Sequence, residues 1–322
     1  MRKYVLMLVA ALIIIGVQSF VVMDDDAVVD DAPASKAALG KLLFFDPILS
    51  KDSTLSCAGC HRPEFAFADT AVFSRGVGGK VGGRNAPSVM NVLLQRTFFW
   101  DGRAQTLEEQ ALKPIENPVE MNLPLDEAVH RLQRSSNYSE WFKKIFNSQP
   151  SKENLAAALA AFQRTLETAN SPFDEWKFKD RSDAVSESVK RGFIIFNTKG
   201  KCIQCHFGPD LASNEFRNIG LFNGRELNDS GRIVITGKPE DIGRFKIGPL
   251  RNIAVTGPYM HNGMFKTLEQ VIDFYNETEK VVKFPINKDT SLAKPLGLTI
   301  DEKGDLLAFL RSLTDKRFTD SL

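Results

Sequence analysis

Every cysteine of this chain lies in one of two five-residue motifs, Cys57-Ala-Gly-Cys60-His61 and Cys202-Ile-Gln-Cys205-His206. The pattern reads as covalent attachment of c-type haem. Each sulfur adds to one vinyl group of the macrocycle, and the following histidine is placed to ligate the iron from one side. A zinc site would want the two Cys-x-x-Cys pairs close together, yet 145 positions separate Cys57 from Cys202. A redox dithiol would sit in a βαβ pattern, which is absent. Two haems therefore constrain the fold first, because each supplies core that a small module cannot build from side chains alone.

The length of 322 residues suits about two domains. With 25% charged and 43% hydrophobic residues, the body has the composition of a globular protein. The N-terminus departs from it. Arg2 and Lys3 precede an apolar run from Val5 to Val22, broken by Gly16, Gln18 and Ser19. A basic start and greasy centre read as an export signal over residues 1–23. The run, residues 5–22, is also nearly long enough to tether the protein to the inner membrane, so cleavage and anchoring both stay open. Either way the body is expected in the periplasm. Without residues 1–23 the chain holds 39 basic against 40 acidic side chains, which offers no surplus for nucleic acid. The acidic stretch 24–34 reads as a solvated tether.

Helical periodicity dominates, and the fold class is mostly α. Leu155, Leu159, Phe162 and Leu166 form one face between Asn154 and Glu167, and Leu306, Leu307, Leu310 and Leu313 do so near the C-terminus. The best strand-like stretch is Arg232–Thr236. A faint repeat places Gly40-Lys-Leu-Leu-Phe44 before the first haem motif and Gly192-Phe-Ile-Ile-Phe196 before the second. Lys179–Ser188 reads as the linker. The expected modules are 35–180 and 186–322.

The segments between the motifs carry a resemblance. Asn85-Ala-Pro-Ser88, Phe99-Trp-Asp-Gly-Arg103, Gln110, Val119-Glu-Met-Asn122 and the run from Leu250 to Gly263 resemble the bacterial di-haem cytochrome c peroxidases, a family that includes the MauG enzymes. The resemblance implies two cytochrome c-like haem domains packed across an interface. It makes the His61 haem the peroxide site and gives the His206 haem electron entry or storage. It places Trp100 between the haems and His261 near them. It assigns an interfacial calcium to Asn85, Thr256 and Pro258, whose hard oxygen donors suit that ion. Read alone, Trp100 is equally a packed aromatic and Asn85 a turn residue.

Cleaving peroxide requires a group that moves a proton between its two oxygens. Within the resemblance Glu120 takes that acid–base role, and Gln110 donates a hydrogen bond. Thr106-Leu-Glu-Glu109 is a capping-box pattern that starts the helix carrying Gln110. Two departures stand out. In the loop Arg75–Arg84, Val77 stands where many members carry a histidine ligand, so the peroxide iron is expected open at rest. Of the other histidines, His130 reads as a surface residue. Where the peroxidases place a methionine on the second iron, this chain has Tyr275, as the MauG branch does. Thr267-Leu-Glu-Gln270 caps its helix, and Leu268, Val271, Ile272 and Tyr275 share one face. Met264 is the rival ligand.

Three functions follow. The first is a periplasmic cytochrome-c peroxidase that reduces hydrogen peroxide to water with electrons from a small donor, a monohaem cytochrome c or a cupredoxin. A homodimer is compatible with it. The second is a MauG-like oxidase acting on a protein or organic substrate through high-valent iron, which Tyr275 and Val77 favour. The third is a di-haem electron carrier, which needs two six-coordinate irons.

Overall fold

The computed structural model describes residues 32–321. The helices, in chain order, are α1 (Lys36–Phe45), α2 (Leu107–Glu116), α3 (Leu125–Arg134), α4 (Ser136–Phe146), α5 (Lys152–Gln163), α6 (Pro172–Phe178), α7 (Glu187–Asn197), α8 (Ile233–Thr236), α9 (Leu268–Asn276), α10 (Thr278–Val281) and α11 (Ile300–Arg311). Strands β1 (Phe216–Arg217) and β2 (Phe245–Lys246) pair antiparallel, Phe216 facing Lys246 and Arg217 facing Phe245. The mostly α reading stands. The export segment 1–23 and most of the acidic tether lie outside the described residues. No described helix is long and apolar enough to cross a membrane.

Two helix crossings organise the buried side chains. α1 packs on α5, and α7 packs on α11. The glycines of the faint repeat explain both. A Cβ on Gly40 would lie 1.9 Å from the Ala158 carbonyl oxygen, and one on Gly192 would lie 2.0 Å from that of Asp305. Only glycine permits such an approach between helix backbones. One turn later Phe44 and Phe196 enter the core, against Phe162 and Phe309 respectively. The helix starts are capped by hydroxyls: Ser35 on α1, Ser151 on α5, Ser186 on α7 and Thr299 on α11.

The apolar side chains bury as two clusters. One gathers residues from Leu39 to Leu166 with Val255 and Phe318, and the other gathers residues from Phe173 to Leu313. Phe173 of α6 belongs to the second, so the chain enters that cluster ahead of the polar stretch 179–188.

A second correspondence, at a constant offset of 161 positions, relates the segments after each motif. Asn91 and Asn252 both take left-handed backbone, φ +54° and +59°, before a 3-10 turn. Bridges Phe98–Ala104 and Tyr259–Phe265 then close matching loops. Thr106 and Thr267 cap α2 and α9. At this offset Trp100 corresponds to His261, and the two rings meet 6.5 Å apart across the halves.

Several sequence expectations shift. The helix expected to reach Glu167 ends at Gln163, although Leu166 stays buried in the turn beyond it. Leu313 likewise lies past the end of α11 and is buried. Arg232–Thr236 is not a strand. Its β-branched residues invite that reading, but Ile233–Thr236 closes one helical turn with Val234 and Ile235 exposed. The Thr106 box is half formed: Thr106 Oγ1 accepts from Glu109 N at 3.1 Å, while the Glu109 carboxylate accepts from Gln105 N at 2.9 Å.

Candidate functional site

Each five-residue motif forms a 3-10 turn, Cys57–Gly59 and Cys202–Gln204, at the edge of its own cavity. The two cavities are similar in size and are lined mainly by apolar side chains, as a site for a large, mostly apolar group requires. In both, the motif's histidine is oriented by the backbone. His61 Nδ1 stands 3.2 Å from Phe67 O, and His206 Nδ1 stands 3.1 Å from Leu211 O. With the proton assigned to Nδ1, the Nε2 lone pair is left for a metal. Burial keeps both rings neutral: it lowers His61 and pushes His206 down to about 4. Burial raises the Cys57 and Cys202 thiols to about 12, so both stay protonated until a partner bonds them. These groups fit a covalently held macrocycle whose iron takes Nε2, one per cavity.

The walls differ. The first cavity presents Gln110, Pro114 and Glu120; at the same register along α9 the second presents Val271 and Tyr275. Glu120 is anchored through both its backbone and its side chain. Its carbonyl accepts from Val77 N at 2.8 Å, and its Oε1 accepts from Asn117 Nδ2 at 2.6 Å. Burial raises its carboxyl, opposed by the Asn117 hydrogen bond and by Arg103. Val77 is buried and belongs to a 3-10 turn.

Tyr275 lines the second cavity together with Leu268, Val271 and Met260. Burial pushes its hydroxyl up, so a phenolate needs a cation in front of it. Met264, the rival, has its sulfur 3.6 Å from Asn262 Nδ2, and the methionine in this wall is Met260.

Trp100 lines both cavities. Its Nε1 donates to Asn85 O at 2.8 Å, and Asn85 N donates to His261 O at 2.7 Å. His261 is buried, stacks on Phe245 at 3.6 Å between centroids, and is pushed down to about 4 mainly by burial. Asn85 also donates through Nδ2 to Ala71 O and Val72 O. Among the described residues no group of three His, Cys, Asp or Glu could hold a metal ion; the expected calcium set uses an amide and two backbone carbonyls. His130 is exposed.

Sequence reading missed three groups here. Asn117 orders Glu120. Arg84 ties Asp101 to Asp229, at 2.6 Å and 2.7 Å. Lys246 reaches both cavities. The one local signal was Lys246 standing between Phe245 and Ile247, which are both buried.

Known proteins agree with this geometry. A family model described as di-haem cytochrome c peroxidase matches residues 34–182. The methylamine utilization protein MauG of Methylorubrum extorquens is 38% identical over 283 residues, 86% of this chain and 78% of that one. A cytochrome c551 peroxidase of Nitrosomonas europaea is 36% identical over 284 residues, 87% of this chain and 80% of the other. The crystal structure of a MauG-like protein associated with microbial copper homeostasis superposes with a TM-score of 0.80 at 33% identity, covering 88% of this chain and 92% of that one. The chain belongs to the di-haem cytochrome c peroxidase family, and two haems are its cofactors.

Proposed function

We propose that the first cavity reduces hydrogen peroxide to water and that the second receives electrons from a small redox protein. The observation that carries this is the asymmetry of two otherwise repeated cavities. Gln110, Pro114 and Glu120 face the first, and Val271 with Tyr275 face the second. When bound, haem iron supplies the electrons that break the O–O bond. Glu120 moves the proton. With Oε1 held by Asn117, Oε2 is the oxygen that takes a proton from peroxide and returns it to the leaving oxygen. Gln110 donates to the substrate and orients it. Trp100, in both walls, stands between the two centres.

The same reading takes the chain as two haem modules exported to the periplasm, supported by the two buried clusters and by residues 1–23. It assigns calcium to Asn85, Thr256 and Pro258. The bonds from Asn85 Nδ2 to Ala71 O and Val72 O leave its Oδ1 as the donor. Chelation should lower turnover and calcium should restore it; full activity in a calcium-free preparation removes the assignment.

A second reading rests on Tyr275 in the second wall and Val77 in the glycine loop. Both fit a MauG-like oxidase in which Tyr275, not a methionine, ligates the second iron. Steady-state peroxide turnover with reduced cytochrome c, set against oxidation of tryptophan in a protein substrate, separates the two. Turnover with cytochrome c alone supports the first reading; tryptophan oxidation without it supports the second.

A further inference from the structure

Most cations in the two cavity walls have a carboxylate of their own. Arg84 pairs with Asp101 and Asp229, Arg103 with Asp101, and Arg217 with Glu215 and Asp289. Lys201 is exposed. Lys246 differs from all of these. It lies on β2, lines both cavities, and donates through Nζ to two neutral acceptors, the Gln95 side chain and Thr97 O. No carboxylate faces it among the described residues. Burial drives its ammonium down to about 8 with no opposing charge. An ammonium has three N–H donors, so one remains after Gln95 and Thr97. A half-buried ammonium without a counter-charge is unfavourable, and each cavity fits a group that brings anionic carboxylates with it.

We propose that Lys246 Nζ holds a propionate carboxylate of bound haem at the wall shared by the two cavities, and so sets the potential of that haem. The proposal rests on the di-haem reading. The same residue fixes the wall itself, because Lys246 N donates to Trp100 O at 2.7 Å. Lys246 is thus a positioning residue: its main chain holds Trp100, and its side chain neutralises a charge that would otherwise favour the oxidised iron. Either haem could supply the carboxylate, and potentiometry tells them apart.

The test is spectroelectrochemical titration of the holoenzyme, following the two haems separately, with Lys246→Met and Lys246→Arg. Haem retained after acid–acetone treatment is counted first; fewer than two per chain overturns the di-haem reading and the proposal with it, whereas with two per chain the potentials alone decide the assignment. With both haems present, Lys246→Met should lower the potential of one haem. The shift should correspond to a tenfold or greater fall in its reduced-to-oxidised ratio at fixed potential, about 59 mV for one electron. A shift confined to the Cys57–Cys60 haem or to the Cys202–Cys205 haem identifies the source. Lys246→Arg keeps the charge and should hold the potential near that of the parent. Unchanged potentials in Lys246→Met, or an equal fall in both variants, overturn the proposal. Should Lys246→Met fail to accumulate, resonance Raman of the parent protein decides. A propionate bending band displaced from that of the unfolded chain supports the bond, and bands all at the unfolded position overturn it.

Discussion

Glu120 sits where two opposing effects meet. Burial raises its carboxyl, and Asn117 with Arg103 pull it back. Because the proposed base must be ionised, turnover should fall as pH drops through a pKa above the ordinary carboxylate range. Removing Asn117 removes a bond that favours the carboxylate form. Asn117→Ala should therefore move the acid limb of the pH–rate profile to higher pH, and an unmoved limb would place the base elsewhere. Glu120→Gln should keep both haems and lower peroxide turnover by roughly 10²–10⁴. Tyr275 is tested by spin state. Val77 offers no sixth ligand, so the resting ferric protein should show one high-spin and one low-spin signal by electron paramagnetic resonance. Tyr275→Phe should change the low-spin signal alone. Two low-spin haems at rest would mean that another residue closes the first iron.

At the scale of elements, Gly40 and Gly192 are where α1 meets α5 and α7 meets α11. Replacing a mid-helix glycine with alanine ordinarily gains about 1 kcal/mol of helix propensity. Here the added methyl would stand 1.9 Å or 2.0 Å from a partner carbonyl. Backbone, unlike a flexible side chain, cannot swing away, and overpacking of this kind costs about 1–3 kcal/mol or more. The clash outweighs the propensity gain. Gly40→Ala and Gly192→Ala should each lower the thermal midpoint, whereas Gly304→Ala in α11, with nothing within 4 Å of its Cβ, should not. The faint sequence repeat was therefore a record of two equivalent crossings. The longer repeat at offset 161 went unread because its residue types diverge, Trp100 against His261 and Pro114 against Tyr275, while the backbone stays alike.

At the scale of the whole molecule, polar groups far apart in sequence tie the halves together. Asn91 Nδ2 donates to Asp210 Oδ1 at 2.7 Å and Thr168 Oγ1 donates to Asp315 at 2.8 Å; within the second half Asp315 is held in turn by Asn252, whose Oδ1 accepts from Asp315 N at 2.8 Å. Asp210 is the weak member. Its Oδ2 is buried without a partner, and burial raises its carboxyl from 3.8 to about 6. Well below pH 3.8 both folded and unfolded forms are protonated and Asp210 costs nothing. Between 4 and 6 the unfolded chain ionises first, so stability falls, by up to roughly 3 kcal/mol at 1.36 kcal/mol per pKa step. Asp210→Asn should raise the thermal midpoint at pH 7 and shift it far less well below pH 3.8; an equal shift at both would exclude the titration as cause. What the sequence alone determined was local chemistry. Attachment needs two sulfurs and a histidine at fixed spacing, and amphipathic helices announce themselves within a few turns, so two haems in a mostly α chain were legible. Only the tertiary structure decided which groups wall each cavity. Asn117 against Glu120 is a short-range bond that no periodicity marks. Trp100 with Lys246, and Asn91 with Asp210, join positions more than a hundred residues apart. The same holds for Ile233–Thr236, whose β-branched run closes a single helical turn in place of a strand. Such choices depend on what the rest of the chain brings alongside, and that is information no single segment carries.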